Sequence, residues 1–158
     1  MELWCFNWRE YSYISEKTNN YFWIDISKEA IEYANNKYNS NCFIVWDFEN
    51  YIFDKSFDIV FAFASLIHSD FETTKNIFNK VYNLLNDWWI FYVSMKSNEK
   101  YTEVLKEDEF WKRIYYHYSM DEYIDFWKWL FDVVYKDEQI FNNQSWFTLA
   151  FKKRQLIN

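Results

Sequence analysis

The sequence predicts a three-layer α/β sandwich on a mainly parallel sheet, closed by an antiparallel hairpin. Two observations carry that expectation. Short apolar runs alternate with amphipathic segments in the order βαβαβαβ, and parallel strands need crossover helices between them. The last two runs are joined only by Lys136 to Ser145, about ten residues, which is too short for a crossover.

Six runs read as buried strands: Tyr21 to Ile24, Asn41 to Val45, Phe57 to Phe63, Trp89 to Met95, Phe131 to Tyr135 and Trp146 to Phe151. Three helices fall between them. Ser27 is placed as an N-cap before Lys28-Glu29-Ala30, with Ile31 and Ala34 spaced to share an apolar face. Asp70 or Thr73 opens a second helix in which Ile77, Val81 and Leu84 recur at helical spacing. Ser119 with Glu122 three positions later makes a capping box for Met120 to Leu130. The acidic run Glu103 to Glu109 reads as a solvated helix face. No repeat, linker or low-complexity tract interrupts the chain, so residues 1–158 are expected to form one domain.

Composition narrows the function classes. The chain has 158 residues, and its 17 Lys+Arg against 24 Asp+Glu leave a net charge of −7, which argues against a nucleic-acid partner. With 51% hydrophobic residues it can bury a sizeable core. No stretch approaches the ~18 uncharged residues of a membrane span, and no basic segment followed by an apolar run marks an export signal. Cys5 and Cys42 lack metal-ligand spacing and are too sparse for a disulfide framework, so a reduced, cytoplasmic protein is expected. Glycine and proline are both absent and tryptophan occurs 10 times. Ordinary usage predicts about 11 glycines and about 8 prolines in this length.

In doubly wound sheets, ligands bind outside the C-terminal strand ends, and an acid ending the second strand takes ribose hydroxyls. Asp25 is that acid, and Asp47 ends the next strand. Each also has a plain structural reading, Asp25 as a helix N-terminal acid and Asp47 as a turn residue.

The segments Glu2-Leu3-Trp4-Cys5-Phe6-Asn7-Trp8, Trp23-Ile24-Asp25-Ile26-Ser27, Trp46-Asp47-Phe48 and Leu85-Asn86-Asp87-Trp88-Trp89 resemble, in order, the motifs of the class I S-adenosylmethionine-dependent methyltransferases. In that family the first motif reads acid-Leu-Gly-Cys-Gly-x-Gly, the second Gly-Ile-Asp-hydrophobic-Ser, the third Gly-Asp-hydrophobic, and the late strand begins Leu-x-Pro-Gly-Gly. The resemblance implies a Rossmann-like fold, S-adenosylmethionine as cofactor and methyl transfer to a small-molecule acceptor. It implies that Glu2 and the turn Trp4, Cys5, Phe6 and Trp8 face the methionine part of the cofactor. Asp25 would bind the ribose, Ile26 would pack on the adenine, Asp47 would accept its amino group, and Phe48 would add backbone and ring contacts. Ala64 would border the transferring methyl, and His68 would act as a general base or position the acceptor, against the plain reading of a loop histidine. The family's helix before the first strand has no counterpart ahead of Met1, which implies a shortened N-terminus. Tyr115 to Tyr118 reads either as an acceptor-pocket wall or as an aromatic cluster.

The departure from the family is systematic. Trp4, Trp8, Trp23, Trp46, Trp88 and Trp89 stand where the family has glycine, and Phe6 replaces another. Glycine there lets backbone N–H groups approach the ligand and lets the chain turn where a side chain would clash. Two readings follow. Either these are glycine codons read as tryptophan, or the indoles are genuine and fill the cofactor crevice of a non-catalytic protein.

Overall fold

The computed structural model describes residues 1–3, 10–107, 109 and 112–155, which form two compact units, Met1–Asp54 and Lys55–Asn158. Trp4, Cys5, Phe6 and Trp8 lie outside the described residues.

In the first unit, β1 (Glu2–Leu3), β2 (Trp23–Asp25) and β3 (Phe43–Val45) run parallel in the order β3-β2-β1. Helix α1 (Tyr11–Ser15) lies between β1 and β2 in sequence, and α2 (Lys28–Tyr38) supplies the crossover from β2 to β3. The Ser27 hydroxyl accepts the Ala30 N–H at 3.1 Å, satisfying a donor that the helix cannot. Glu29 in the first turn and Lys37 in the last complement the helix dipole, and Asn39 ends α2 in the left-handed region at φ 47°. Ala30, Ile31 and Ala34 bury the inner face as their spacing predicts.

Trp23 anchors this core. It is fully buried, with Tyr21 edge-on at 4.8 Å, Phe43 at 5.4 Å and Tyr11 at 5.9 Å. Burying a side chain of this size stabilises the unit by roughly 5 kcal/mol. Its indole Nε1 is buried with no acceptor among the described residues, which offsets part of that gain.

The second unit holds β4 (Phe57–Phe63), a single 3-10 turn (Leu66–His68), α3 (Phe71–Leu84), β5 (Leu85–Lys96), β6 (Thr102–Glu107), β7 (Lys112–His117), α4 (Met120–Trp127), β8 (Phe131–Phe141) and β9 (Gln144–Lys153). β4 pairs parallel with β5, and β9 pairs antiparallel with both β5 and β8, giving the order β4-β5-β9-β8. The closing hairpin turns at Asn142 and Asn143, with φ 51° and 57°. Two left-handed residues in a two-residue loop match the twist of the flanking strands, and asparagine tolerates that region. Asp70 caps α3 by accepting the Thr73 N–H at 2.8 Å, and Ser119 and Glu122 form a reciprocal capping box on α4. α4 ends at Trp127 rather than Leu130.

Phe78 organises the core here. Its ring stacks on Trp127 at 4.0 Å and meets Phe91, Phe151 and Phe131 edge-on at 4.8, 5.6 and 5.9 Å. These offset and edge-to-face contacts are the arrangements that aromatic quadrupoles favour.

One expectation is overturned. The run expected as a helix face from Glu103 onward is instead β6, paired antiparallel with β7 in register Glu103↔Tyr116 through Glu107↔Lys112. Alternation explains the error. Thr102 and Val104 are half-buried while Glu103 and Leu105 are exposed, a period of two that the density of charges conceals.

Candidate functional site

An acid stands beside each strand of the first unit, Glu2 opening β1, Asp25 closing β2 and Asp47 two residues past β3. Glu2 is 2% exposed, and its Oε2 accepts the Tyr21 hydroxyl at 2.9 Å. Burial pushes this carboxyl from its ordinary value up to about 8, with the Tyr21 hydrogen bond pulling weakly the other way. The N-terminal ammonium lowers it as well, but burial is the largest cause, so the carboxyl holds its proton at neutral pH. Such a group is poised to ionise when a positive charge arrives.

Asp25 ends β2 and is 7% exposed. Its Oδ1 accepts the Ser27 N–H at 2.9 Å, an Asx-type contact that fixes the carboxylate at the strand's mouth just before α2 begins. Burial raises its pKa, and the backbone N–H groups of Ser27 and Ile26 oppose the rise. The next residue, Ile26, leaves the strand with its side chain 66% exposed, an uncovered apolar surface beside a buried carboxylate.

β3 runs beside β2, with Asp25 opposite Val45 and the Trp46 N–H donated to Asp25 O at 2.9 Å. Two residues past Val45, Asp47 is half-buried, with Oδ1 accepting Glu49 N–H at 3.0 Å and Oδ2 accepting Asn50 Nδ2 at 2.6 Å. Phe48 is fully buried with its ring 5.8 Å from that of Phe53, so its side chain belongs to the core and its backbone stands at the strand end. Trp46 is half-exposed, and its indole meets Tyr51 edge-on at 5.5 Å. Parallel strands have thus placed Asp25 and Asp47 at adjacent C-terminal ends, where open α/β sheets bind ligands.

In the second unit the chain leaves β4 through Ala64, whose φ is 54° and whose N–H is donated to Ser94 O at 2.8 Å. A left-handed residue with a Cβ is uncommon, and such strain concentrates at functional turns. The turn delivers His68, whose Nδ1 lies 3.4 Å from Ile114 O and whose ring meets Tyr115 edge-on at 4.5 Å. Burial lowers the His68 pKa, and the charges of Arg113 and Lys96 lower it further, leaving a neutral imidazole at pH 7. A pocket of about 510 Å³ is lined by His68, Lys112, Arg113, Ile114 and Tyr116. Tyr116 therefore serves as pocket wall, while Tyr118 packs in an aromatic cluster with Tyr101, Tyr123 and Phe126.

A family model described as a methyltransferase domain matches residues 9–87, half of the chain. The chain belongs to the class I S-adenosylmethionine-dependent methyltransferases. No curated protein matches the sequence. Among solved structures the methyltransferase resembles an S-adenosylmethionine-dependent methyltransferase from Methanosarcina mazei, with TM-score 0.84, 18% identity, and 96% of this chain and 90% of that one covered. It likewise resembles one from Clostridium acetobutylicum, with TM-score 0.78, 15% identity and coverage of 96% and 82%. The N-methyltransferase NodS from Bradyrhizobium japonicum, in complex with S-adenosyl-L-homocysteine, has TM-score 0.74, 10% identity and coverage of 98% and 76%. These likenesses establish the Rossmann-like fold over nearly the whole methyltransferase. The family's methyl donor is S-adenosylmethionine.

Sequence reasoning missed Tyr21, because nothing in the apolar run Tyr21-Phe22-Trp23-Ile24 marks its hydroxyl as the partner of an acid 19 residues earlier. It named Tyr116 and His68 but missed Lys112, Arg113 and Ile114, which line the same pocket. The only available signal there was the alternation in Lys112-Arg113-Ile114-Tyr115-Tyr116-His117. No helix among the described residues is long and apolar enough to cross a membrane.

Proposed function

We propose that this methyltransferase binds S-adenosylmethionine at the strand ends of its first unit and methylates a small-molecule acceptor. The observation that supports this most is the placement of Asp25 and Asp47 at the C-terminal ends of paired parallel strands, with Asp25 buried and the apolar side chain of Ile26 exposed beside it. When bound, the cofactor supplies a sulfonium methyl that a nucleophile displaces in line.

The residues described fit that donor. A carboxylate at Asp25 accepts two ribose hydroxyls, Ile26 offers an apolar face to the adenine, and Asp47 with the Phe48 backbone completes the base end. Glu2 is assigned to the methionine end, together with the turn of Trp4, Cys5, Phe6 and Trp8. Its buried acid would become a carboxylate opposite the donor's positive charge.

On the acceptor side, Ala64 is assigned to the border of the transferring methyl. His68, held neutral, takes the proton of an acceptor that reacts through N–H or O–H. Most of the rate should come from holding donor and acceptor in near-attack geometry, since a methyl displacement asks little acid or base chemistry of the protein. Residues 1–158 are read as one domain, and the free thiol of Cys42 suits a reducing, cytoplasmic setting.

Calorimetric titration with S-adenosylhomocysteine tests the reading. Binding is expected, weakened about 10- to 100-fold in Asp25→Asn, the range for losing hydrogen bonds to a charged acceptor. A folded chain that takes up no S-adenosylhomocysteine overturns it.

A further inference from the structure

β6 and β7 form a two-stranded sheet of their own, so among the described residues no strand of a sheet flanks β7 on its outer side. Two contacts show which backbone groups face that side. The Ile114 carbonyl stands 3.4 Å from His68 Nδ1, and the Tyr118 carbonyl accepts the Asn98 N–H at 3.3 Å, where Tyr118 bridges to Ser97 beyond the end of β5. A strand residue aims its N–H and C=O to one side, and that side alternates along the chain. Lys112, Ile114 and Tyr116 therefore turn their backbone groups outward, as Tyr118 does. Arg113, Tyr115 and His117 turn theirs inward, to Lys106, Val104 and Thr102 of β6.

The outward N–H and C=O groups of Lys112, Ile114 and Tyr116 have no backbone partner among the described residues. A pocket lies along the same edge. Its lining is Lys112, Arg113, Ile114 and Tyr116 of β7 together with His68 of the 3-10 turn. The pleat also places an apolar surface there. Leu105 and Ile114 are cross-strand neighbours on one face, 51% and 40% exposed, and Tyr116 follows Ile114 on that face.

An open strand edge is a template for another extended chain, since each unpaired group offers a hydrogen bond in fixed register. We infer that the methyl acceptor is peptide-like, a short chain of secondary amides lying extended against the outer edge of β7. Its N–H and C=O groups pair with those of Lys112, Ile114 and Tyr116, and its alternate side chains pass over Leu105 and Ile114, which selects apolar ones. At about 3.3 Å per residue the edge from Lys112 to Tyr116 spans about 13 Å, room for three or four residues. The pocket volume of about 510 Å³ is that of a small-ligand site. His68 stands at the middle of this edge, beside Ile114, so an acceptor atom carried there meets the imidazole assigned to its proton. The inference rests on the methyltransferase reading, which makes the bound chain an acceptor.

Amide hydrogen exchange on the whole chain, followed by NMR, tests it with the blocked tripeptide acetyl-Ala-Val-Ala-amide as probe. In the free protein the Lys112, Ile114 and Tyr116 amides should exchange readily and those of Arg113, Tyr115 and His117 slowly. Saturating peptide should slow the first set about tenfold. The same peptide methylated on every amide nitrogen should not, because it has no N–H to donate. Ile114→Pro removes an outward N–H without touching the ladder to β6, so it should cut the protection at Lys112 and Tyr116 while the resonances of β8 and β9 stay in place. Outward amides that are already slow in the free, dilute protein, or that the peptide leaves unchanged, overturn the inference. Protection that grows with protein concentration overturns it in favour of a second copy on the edge. S-adenosylhomocysteine binding is measured by calorimetry on the same samples. If it is absent while the peptide still protects, the methyl-donor reading fails and the bound chain is no longer an acceptor; if it is present without protection, only the peptide assignment falls.

Discussion

Tyr21 donates its hydroxyl to Glu2 Oε2 at 2.9 Å, and both side chains are buried. The pair joins the ends of two neighbouring parallel strands with a carboxyl that keeps its proton to about pH 8. Because the folded-state pKa is raised above the unfolded value, the native state binds more protons than the unfolded chain between the two. Stability should therefore be greatest below about pH 4.5 as far as this group is concerned, and should fall as pH rises to about 8, by at most roughly 5 kcal/mol. Urea denaturation at pH 5, 6.5 and 8 checks the slope, and Glu2→Gln should remove it.

Binding of a cationic donor beside Glu2 should reverse that protonation. At pH 7 about one proton should leave the protein when S-adenosylmethionine binds, since a nearby opposite charge favours the carboxylate. Calorimetric titration in two buffers of different ionisation enthalpy counts it. The count should fall to near zero in Glu2→Gln.

Trp88 holds φ at 73° in an irregular stretch where β5 slips against β4, Phe57 facing Leu85 and Ile59 facing Ile90. Left-handed backbone within a bulge is a glycine position, and a Cβ there costs roughly 1–2 kcal/mol. Trp88→Gly should accordingly be about 1 kcal/mol more stable than Trp88→Ala, the opposite of the usual order in a strand. Both variants lose the contact of Lys152 with the indole at 4.8 Å, so the comparison isolates the backbone. Thermal melts of the two proteins decide it.

Trp23 should behave in the contrary way. Trp23→Ala removes the centre of the first unit's aromatic core and should cost about 3–5 kcal/mol. Trp23→Phe also deletes the orphaned indole N–H, so its cost should stay below about 2 kcal/mol. Chemical denaturation of both variants gives the difference.

Much of this fold was legible because period and caps agreed. Ser27, Asp70 and Ser119 each announce a helix by side-chain chemistry that acts within three residues, and all three accept the backbone N–H that the spacing predicts. The strand Phe57–Phe63 declares itself by a β-branched and aromatic run interrupted only by Asp58, with Val60 and Ala62 buried. The β6–β7 hairpin did not, because its exposed face is charged and its inner face carries lysine and arginine as well. Asp25 was readable as an acid closing an apolar run. The contact of Glu2 with Tyr21 and that of His68 with Tyr115 depend on strand register and tertiary placement, which local periodicity does not encode.

Among the described residues five hold positive φ: Asn39, Ala64, Trp88, Asn142 and Asn143. With glycine absent from the sequence, every such bend is made by a residue that carries a Cβ. The unfolded chain is correspondingly less free, since each glycine replaced elsewhere removes backbone states worth about 0.4–1 kcal/mol. Order is therefore partly written into the denatured ensemble, and the three asparagines, whose short amides tolerate the left-handed region, let the native turns form at the least expense.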